Sequence, residues 1–182
     1  LHASAHTGES ISAMLEGVTA TITGEATIKA ASDTKAIATG YEPGGWSAAG
    51  GARTDAKSGV GTQDEKETVT VVIGKDATLK AQKVTLSALN NGEAESSIEK
   101  GRQGSILATI SKGSLPTESW YETLVTVGEN AHVESTNGDV NLFTADSSDS
   151  TSKVKSSGFS VGVNYNSMKG ENEIHQENNI DV

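Results

Sequence analysis

Cysteine is absent from the 182 residues, which excludes both a disulfide scaffold and a thiolate metal site. Aromatic residues make up 4% and apolar residues 34% of the chain, too little for the thick interior of an ordinary globule of this size. Positive charge is scarce as well. Fourteen Lys and Arg stand against 24 Asp and Glu, giving a formal charge of −10 and a pI near 4.8. That balance argues against nucleic acid and against anionic membrane surfaces as partners. No apolar run approaches the about 20 residues of a membrane span. The opening Leu1-His2-Ala3-Ser4-Ala5-His6 has neither the basic nor the apolar region of a signal peptide. No membrane insertion by this segment is expected, and an export signal would have to lie outside it. Proline, with two residues, is scarce too, which speaks against the composition being that of a disordered chain.

What the chain has instead is alternation. Val69 to Ala88 contains three short period-2 runs: Val69, Val71, Ile73; Ala77, Leu79, Ala81; and Val84, Leu86, Ala88. The breaks between them, Gly74-Lys75-Asp76 and Gln82-Lys83, are too short for a crossover helix and do not match the usual two-residue hairpin turns. A related phrase, a glycine leading through polar residues into Ala-x-(Ile, Leu or Val)-x-(Ala or Ser), occurs around Gly24, Gly74 and Gly128, spaced by 50 and 54 residues. A fixed period with a preserved inward pattern is the mark of a repeat architecture, in which each unit buries its apolar face by stacking on its neighbours. The expectation is an all-β fold, a parallel β-solenoid with protruding loops, forming one segment over residues 1–182 with units starting near 18, 68 and 123. A narrow interior of Ala, Val, Ile, Leu and Thr suits that fold. No capping unit is evident at either end, so the segment is expected to continue into flanking repeats of the same chain. At about 20 residues per coil, each unit would hold two to three coils, and the whole a rod on the order of 40 Å.

Several stretches read as turns or excursions: Gly40 to Trp46, the charged Gln63 to Glu67, Asn90-Asn91-Gly92, Gly101 to Gly104, Leu115 to Tyr121 and Asp146 to Ser150. The stretch from Ile11 to Val18 reads as strand in preference to a helical turn.

The phrase Val71-Val72-Ile73-Gly74-Lys75-Asp76-Ala77-Thr78-Leu79-Lys80-Ala81, continuing to Val84-Thr85-Leu86-Ser87-Ala88, resembles the repeats of large bacterial surface proteins, the filamentous haemagglutinins and leukotoxin-like filamentous adhesins. The resemblance covers about Val18 to Val182, and the inserts at Tyr41 to Trp46 and Leu115 to Tyr121 depart from it. It implies a right-handed parallel β-helix, export to the bacterial cell surface or beyond, and a non-enzymatic structural or adhesive role towards a host-cell or surface receptor, protein or glycan.

Candidate chemistry is sparse. His2 and His6 are four residues apart but stand at a terminus, and His132 falls at an outward position. Asp64, Glu65, Glu67, Asp146 and Asp149 offer oxygen ligands without a calcium-loop spacing, so a solvated surface is the competing reading. Stacking could align residues one repeat apart, such as Lys75 with Glu129, but no aligned carboxylate pair is evident. Neither a catalytic residue, a metal ligand set nor a cofactor is expected. Trp46, Trp120 and Tyr121 are the candidate partner-binding residues, because aromatic rings on loops beside a rigid scaffold stack on sugars or anchor proteins. The competing reading has them covering the interior. The alternative function is a β-helical carbohydrate-binding or polysaccharide-processing domain, which requires a titratable cluster beside those rings.

Overall fold

The computed structural model describes residues 1–42, 44–101, 103–155, 158–160 and 163–182, and among these the chain is all-β with no helix. β1 (His2–Thr7), β2 (Ser10–Leu15), the short β3 (Thr19–Thr21) and the long β4 (Glu25–Glu42) come first. The order recurs as β5 (Gly45–Val60), β6 (Glu67–Ile73), β7 (Thr78–Ala81) and β8 (Lys83–Lys100). It recurs again as β9 (Gln103–Val127), which covers in one strand what β5 and β6 cover in two, then β10 (His132–Ser135) and β11 (Val140–Lys155). β12 (Gly158–Ser160) and β13 (Val163–Asp181) begin a further round.

Every ladder is parallel, and a residue's partner lies 53 to 59 positions away: His2 opposite Asp55, Thr19 opposite Thr78, Glu25 opposite Lys83, Thr78 opposite His132. Three sheets result. The first contains β1, β2, β5, β6, β9, β12 and β13; the second, β3-β7-β10; the third, β4-β8-β11. Strands one round apart therefore lie side by side, as tiers of the same sheet. This corrects the expected two to three coils per repeat, since one repeat supplies one tier. The first sheet holds four tiers and, at about 4.8 Å per tier, spans on the order of 15 Å instead of 40 Å.

The register also corrects the alignment of the first repeat. Gly74 and Gly128 are equivalent, but Ala26, Ile28 and Ala30 pair with Val84, Leu86 and Ala88 of the third sheet, not with Ala77, Leu79 and Ala81 of the second. Ser10 is the counterpart of Thr68, so the unit expected to start near 18 starts near 10. The slip arises because Ala77-Thr78-Leu79-Lys80-Ala81 and Val84-Thr85-Leu86-Ser87-Ala88 carry similar phrases in two neighbouring sheets, and Ala26-Thr27-Ile28-Lys29-Ala30 resembles both.

Alternation holds across the inward face. Val69, Val71 and Ile73 of the first sheet, Leu79 and Ala81 of the second, and Val84, Leu86 and Ala88 of the third are buried in one cluster. Further along, Ala56 and Leu115 of the first sheet meet Ala38 and Ile98 of the third, and Val60 and Tyr121 meet Ala36. The first and third sheets thus face one another, with the second joining them at one end. The turn there places Asp76 and Asn130 at φ 58 and 57, a left-handed conformation that the short polar side chains of Asp and Asn tolerate.

Four expected turns are strand, wholly or at an end. Asn90-Asn91-Gly92 lies inside β8, Leu115 to Tyr121 inside β9 and Asp146 to Ser150 inside β11. Glu67 opens β6 fully buried instead of facing solvent. In β9 the inward residues Leu115, Thr117, Ser119, Tyr121, Thr123 and Val125 alternate strictly, but half of them are small and polar, which hides the period. Pro116, which has no N–H to give, falls in a two-residue gap of the β5 ladder between Asp55↔Ser114 and Ser58↔Thr117, while on the other side it lies opposite Glu171 of β13. Of the bend from Gly40 to Trp46, Pro43 lies outside the described residues. Gly101 does separate β8 from β9, while Arg102 beside it is also outside them.

Gly92 serves the interior instead of a turn. A Cβ there would overlap the Tyr121 hydroxyl and stand 2.6 Å from two of its ring carbons. Tyr121 reaches across from the first sheet onto the bare backbone of the third. Gly92→Ala is expected to lower stability by about 1–3 kcal/mol through overpacking. In a double-mutant cycle read by urea unfolding, its cost should shrink when Tyr121→Leu has already removed the ring.

Candidate functional site

Inward residues of the half beyond the Val-Leu-Ile cluster are mostly polar. Glu67 accepts hydrogen bonds from the backbone N–H of Glu9, at 2.5 Å, and from the Ser32 hydroxyl. Ser58 and Ser96 share a hydrogen bond at 3.0 Å, and Ser96 donates to the carbonyl of Pro116 at 3.0 Å. Glu42 and Lys100, register partners at the far end of the third sheet, form a buried ion pair at 3.6 Å. Other groups are less well served. The Asn90 amide and the Tyr121 hydroxyl are buried without a hydrogen bond of normal geometry. Burial pushes the Tyr121 phenol above its ordinary range, and nearby Ser119 opposes the shift. Asp146 stacks beside Asn90 in the third sheet. Burial raises its carboxyl as well, against Thr123 and Asn178, which lie near without completing a hydrogen bond to it. Ser32, Asn90 and Asp146 also line an open, mainly apolar pocket of about 360 Å³ with Ala31, Leu89 and Ala145.

The outward face carries ion pairs between tiers. Lys35 meets Glu93 at 2.7 Å, Lys80 meets Glu134 at 2.7 Å and Lys153 meets Glu95 at 3.2 Å. The expected alignment of Lys75 with Glu129 is present as a contact of 3.2 Å. Carboxylates also align with carboxylates, contrary to expectation: Glu118 with Glu173 and Glu122 with Glu177. Lys66 stands between the second pair, 3.8 Å from Glu122 and 2.7 Å from Glu177, so the repulsion there is neutralised.

The first pair belongs to the patch that holds most of the chemistry. Alternation along β9 turns Glu118 and Trp120 outward, and the β13 register sets Glu173 and His175 beside them. The Trp120 and His175 rings stack at a centroid distance of 3.7 Å and an interplanar angle of 12°. The indole N–H of Trp120 donates to Glu118 Oε1 at 3.1 Å. Lys57 Nζ of β5 stands 3.3 Å from Glu118 Oε2. These contacts, the Trp120 hydrogen bond first, hold the Glu118 carboxyl below its ordinary range. The patch is a partly exposed platform of two rings stacked on one another and edged by carboxylates, a setting that suits a cation or a polar ligand.

The three aromatic candidates do not converge. Trp120 is partly exposed on the platform. Tyr121, its neighbour in sequence, is 2% exposed and points the opposite way, so its place in a binding surface is corrected to one in the core. Trp46 pairs opposite Gly104, which is 16 residues from Trp120 along β9, on the order of 50 Å of strand. The Trp46 side chain lies outside the described residues. Sequence reading missed Glu118, Glu173 and His175. The signal is two acidic-x-aromatic-ring triplets, Glu118-Ser119-Trp120 and Glu173-Ile174-His175, 55 residues apart, which carries meaning only once the pairing distance is known. A second feature, a groove of about 570 Å³ between Glu9, Gly61 to Lys66 and Glu122, is polar and acidic.

Comparison with family models, with curated proteins and with solved structures finds no match.

For Asp146 the sign follows from the raised carboxyl. The folded chain binds its proton more tightly than the unfolded chain, so this group's contribution is fully present at low pH and lost as pH rises through the raised value. Asp146→Asn is therefore expected to raise the denaturation midpoint at pH 7 and to change it little at pH 3, as thermal melts at the two pH values would read.

Proposed function

We propose that the chain is a segment of a right-handed parallel β-helix, a non-enzymatic rod of a large secreted or cell-surface bacterial adhesin. The observation that carries this reading is the parallel pairing of each strand with the strand one repeat later. Such a ladder has no internal stop. β4 and β11, of 18 and 16 residues, are the outer strands of the third sheet and offer their free edges to a further tier. Flanking repeats of the same chain are the occupants that fit those edges, and the right hand follows from the strong preference of parallel crossovers. The chain's resemblance to filamentous haemagglutinin-type repeats agrees with this assignment. Its outer face would attach to a host-cell or other surface receptor, protein or glycan, with Trp120 as the aromatic contact.

A carbohydrate-processing β-helix is the second reading, favoured by the aligned Glu118 and Glu173 beside an aromatic platform. Glycosidases pair an ionised carboxylate with one kept protonated by a raised pKa. The lowered carboxyl of Glu118 suits only the ionised role, and the two carboxylates stand on an open sheet face and not in a cleft. Binding suits it better than hydrolysis.

The rod is tested by joining a second copy, from Glu16 onward, directly after Val182, since the register sets Ile180 through Val125 and Val71 opposite Ala13. Electron micrographs should show one body taller by about 15 Å, the height of three more tiers. Two separate bodies joined by a tether would sink the stacking. Attachment is tested separately, with beads coated in the chain: they should hold to cells or glycan surfaces, and Trp120→Ala should reduce the bound number several-fold. Beads that never attach would remove the adhesive role and leave the rod.

A further inference from the structure

On the platform beside Trp120, one ligand atom from each of Glu118, Glu173 and His175 lies within 4.8 Å of the others. Two oxygens and an imidazole nitrogen form a borderline donor set of the kind that holds a transition-metal dication and not calcium, which takes oxygen alone. A second observation points the same way. His175 Nε2 is shielded from solvent and has no hydrogen-bond partner; the nearest carboxylate oxygen, Glu173 Oε2, is 3.8 Å away. A shielded ring nitrogen without a partner is unusual and calls for one. Trp120 stacks on the face of this ring, whose side chain is 41% exposed.

We propose that Glu118, Glu173 and His175 bind a divalent transition-metal ion such as Zn²⁺, with water completing the coordination. Tetrahedral zinc at about 2.0–2.2 Å from each ligand holds its donors roughly 3.3–3.6 Å apart. Closing from 4.8 Å asks for a small rotation of Glu173, whose side chain is 66% exposed and unconstrained by packing. Trp120 positions two of the ligands at once, fixing the imidazole by stacking and Glu118 by its N–H bond, the arrangement expected of groups that orient metal ligands. Charge agrees as well. Two carboxylates aligned in neighbouring strands repel, and among the described residues the lysine that meets them is Lys57, on the Glu118 side. A dication neutralises both, and Lys57, 47% exposed, is free to swing into solvent. The ion would also cross-link β9 to β13.

The proposal stands apart from the rod reading, since the two strands and their register are enough for it. The test uses Co²⁺, whose visible absorption reports coordination and which quenches indole emission at short range. In a Trp46→Phe chain, where Trp120 is the remaining tryptophan, Co²⁺ should quench emission saturably at one equivalent, with Zn²⁺ displacing it and Ca²⁺ failing to. His175→Ala and Glu173→Gln should each weaken binding at least tenfold, while a His2→Ala, His6→Ala chain keeps it. Quenching that does not saturate, or that survives His175→Ala unchanged, would overturn the assignment. Because loss of binding could follow from a displaced β13, circular dichroism and the melting temperature of the metal-free variants must match the parent for the tenfold loss to count. Trp120→Phe, which keeps the stack and loses the N–H, should weaken Co²⁺ absorption less than either ligand variant.

Discussion

Parallel pairing at a distance of one repeat is the constraint on which the remainder depends. In such a ladder the neighbour of a residue is its own counterpart in the next tier, so like meets like unless the sequence is arranged otherwise. For apolar positions the rule is an advantage: Val84 lies between Ala26 and Val140, and Leu86 between Ile28 and Leu142. For charges it is a hazard, which the chain answers at several positions by changing sign between tiers, although Glu118 meets Glu173 and Glu122 meets Glu177. Lys35 faces Glu93, Lys80 faces Glu134 and Lys75 faces Glu129. Each pair is exposed and contributes little by itself. Their collective effect is on register, because a slip by one residue separates every pair and turns the whole apolar face outward at the same time.

The interior is divided by chemistry. Near the second sheet, three walls of Val, Leu, Ile and Ala close on one another, and hydrophobic burial is enough. Beyond it, the first and third sheets face each other directly, and their inward residues are alanine, serine, threonine and a few larger polar groups. Val60, Ile98, Leu115 and Tyr121 are the larger apolar groups among them, while the hydroxyls, amides and carboxylates that share this interior must each find a partner or cost stability. Glu67 succeeds, with Ser32 and the Glu9 backbone. Asn90 and Asp146 do not. Tyr121 fills the gap by reaching the far wall, which is why glycine stands at 92.

The same division decides how much was legible in the sequence. Alternating Val, Leu and Ile announced the strands from Val69 to Ala88 and their inward faces, and that half of the structure follows the reading. The other half was read as turns because its inward residues are Ser, Thr and Asn, the residue types that also build turns. Asn90-Asn91-Gly92 is the sharpest case, since the glycine there gives clearance to a ring 29 residues away, and nothing local reveals that. Twofold use of one phrase within a unit likewise made the first repeat ambiguous until hydrogen bonds chose between the two alignments. The platform was legible only in part. Trp120 could be picked out by type, but Glu173 and His175 join it through a pairing distance of 55 residues that no short window contains.

The platform inherits its character from where it sits. β13 is bonded along one side, to β9, and most of its described side chains are exposed. Strands held on a single edge open more readily than those between two neighbours. Half of the candidate site is therefore carried by one of the less anchored strands and half by β9, which is bonded on both sides. What ties β13 down near the platform is the Trp120–His175 stack, the Thr117 hydroxyl donating to Asn172 at 2.7 Å and Lys66 reaching Glu177. These contacts serve two purposes at once. They complete the pairing of the last tier, and they assemble the only cluster among the described residues that unites an exposed aromatic stack with three metal-ligating side chains. A ligand bridging β9 and β13 would strengthen the pairing of these two strands, so occupancy of the site and integrity of that pairing are coupled in both directions.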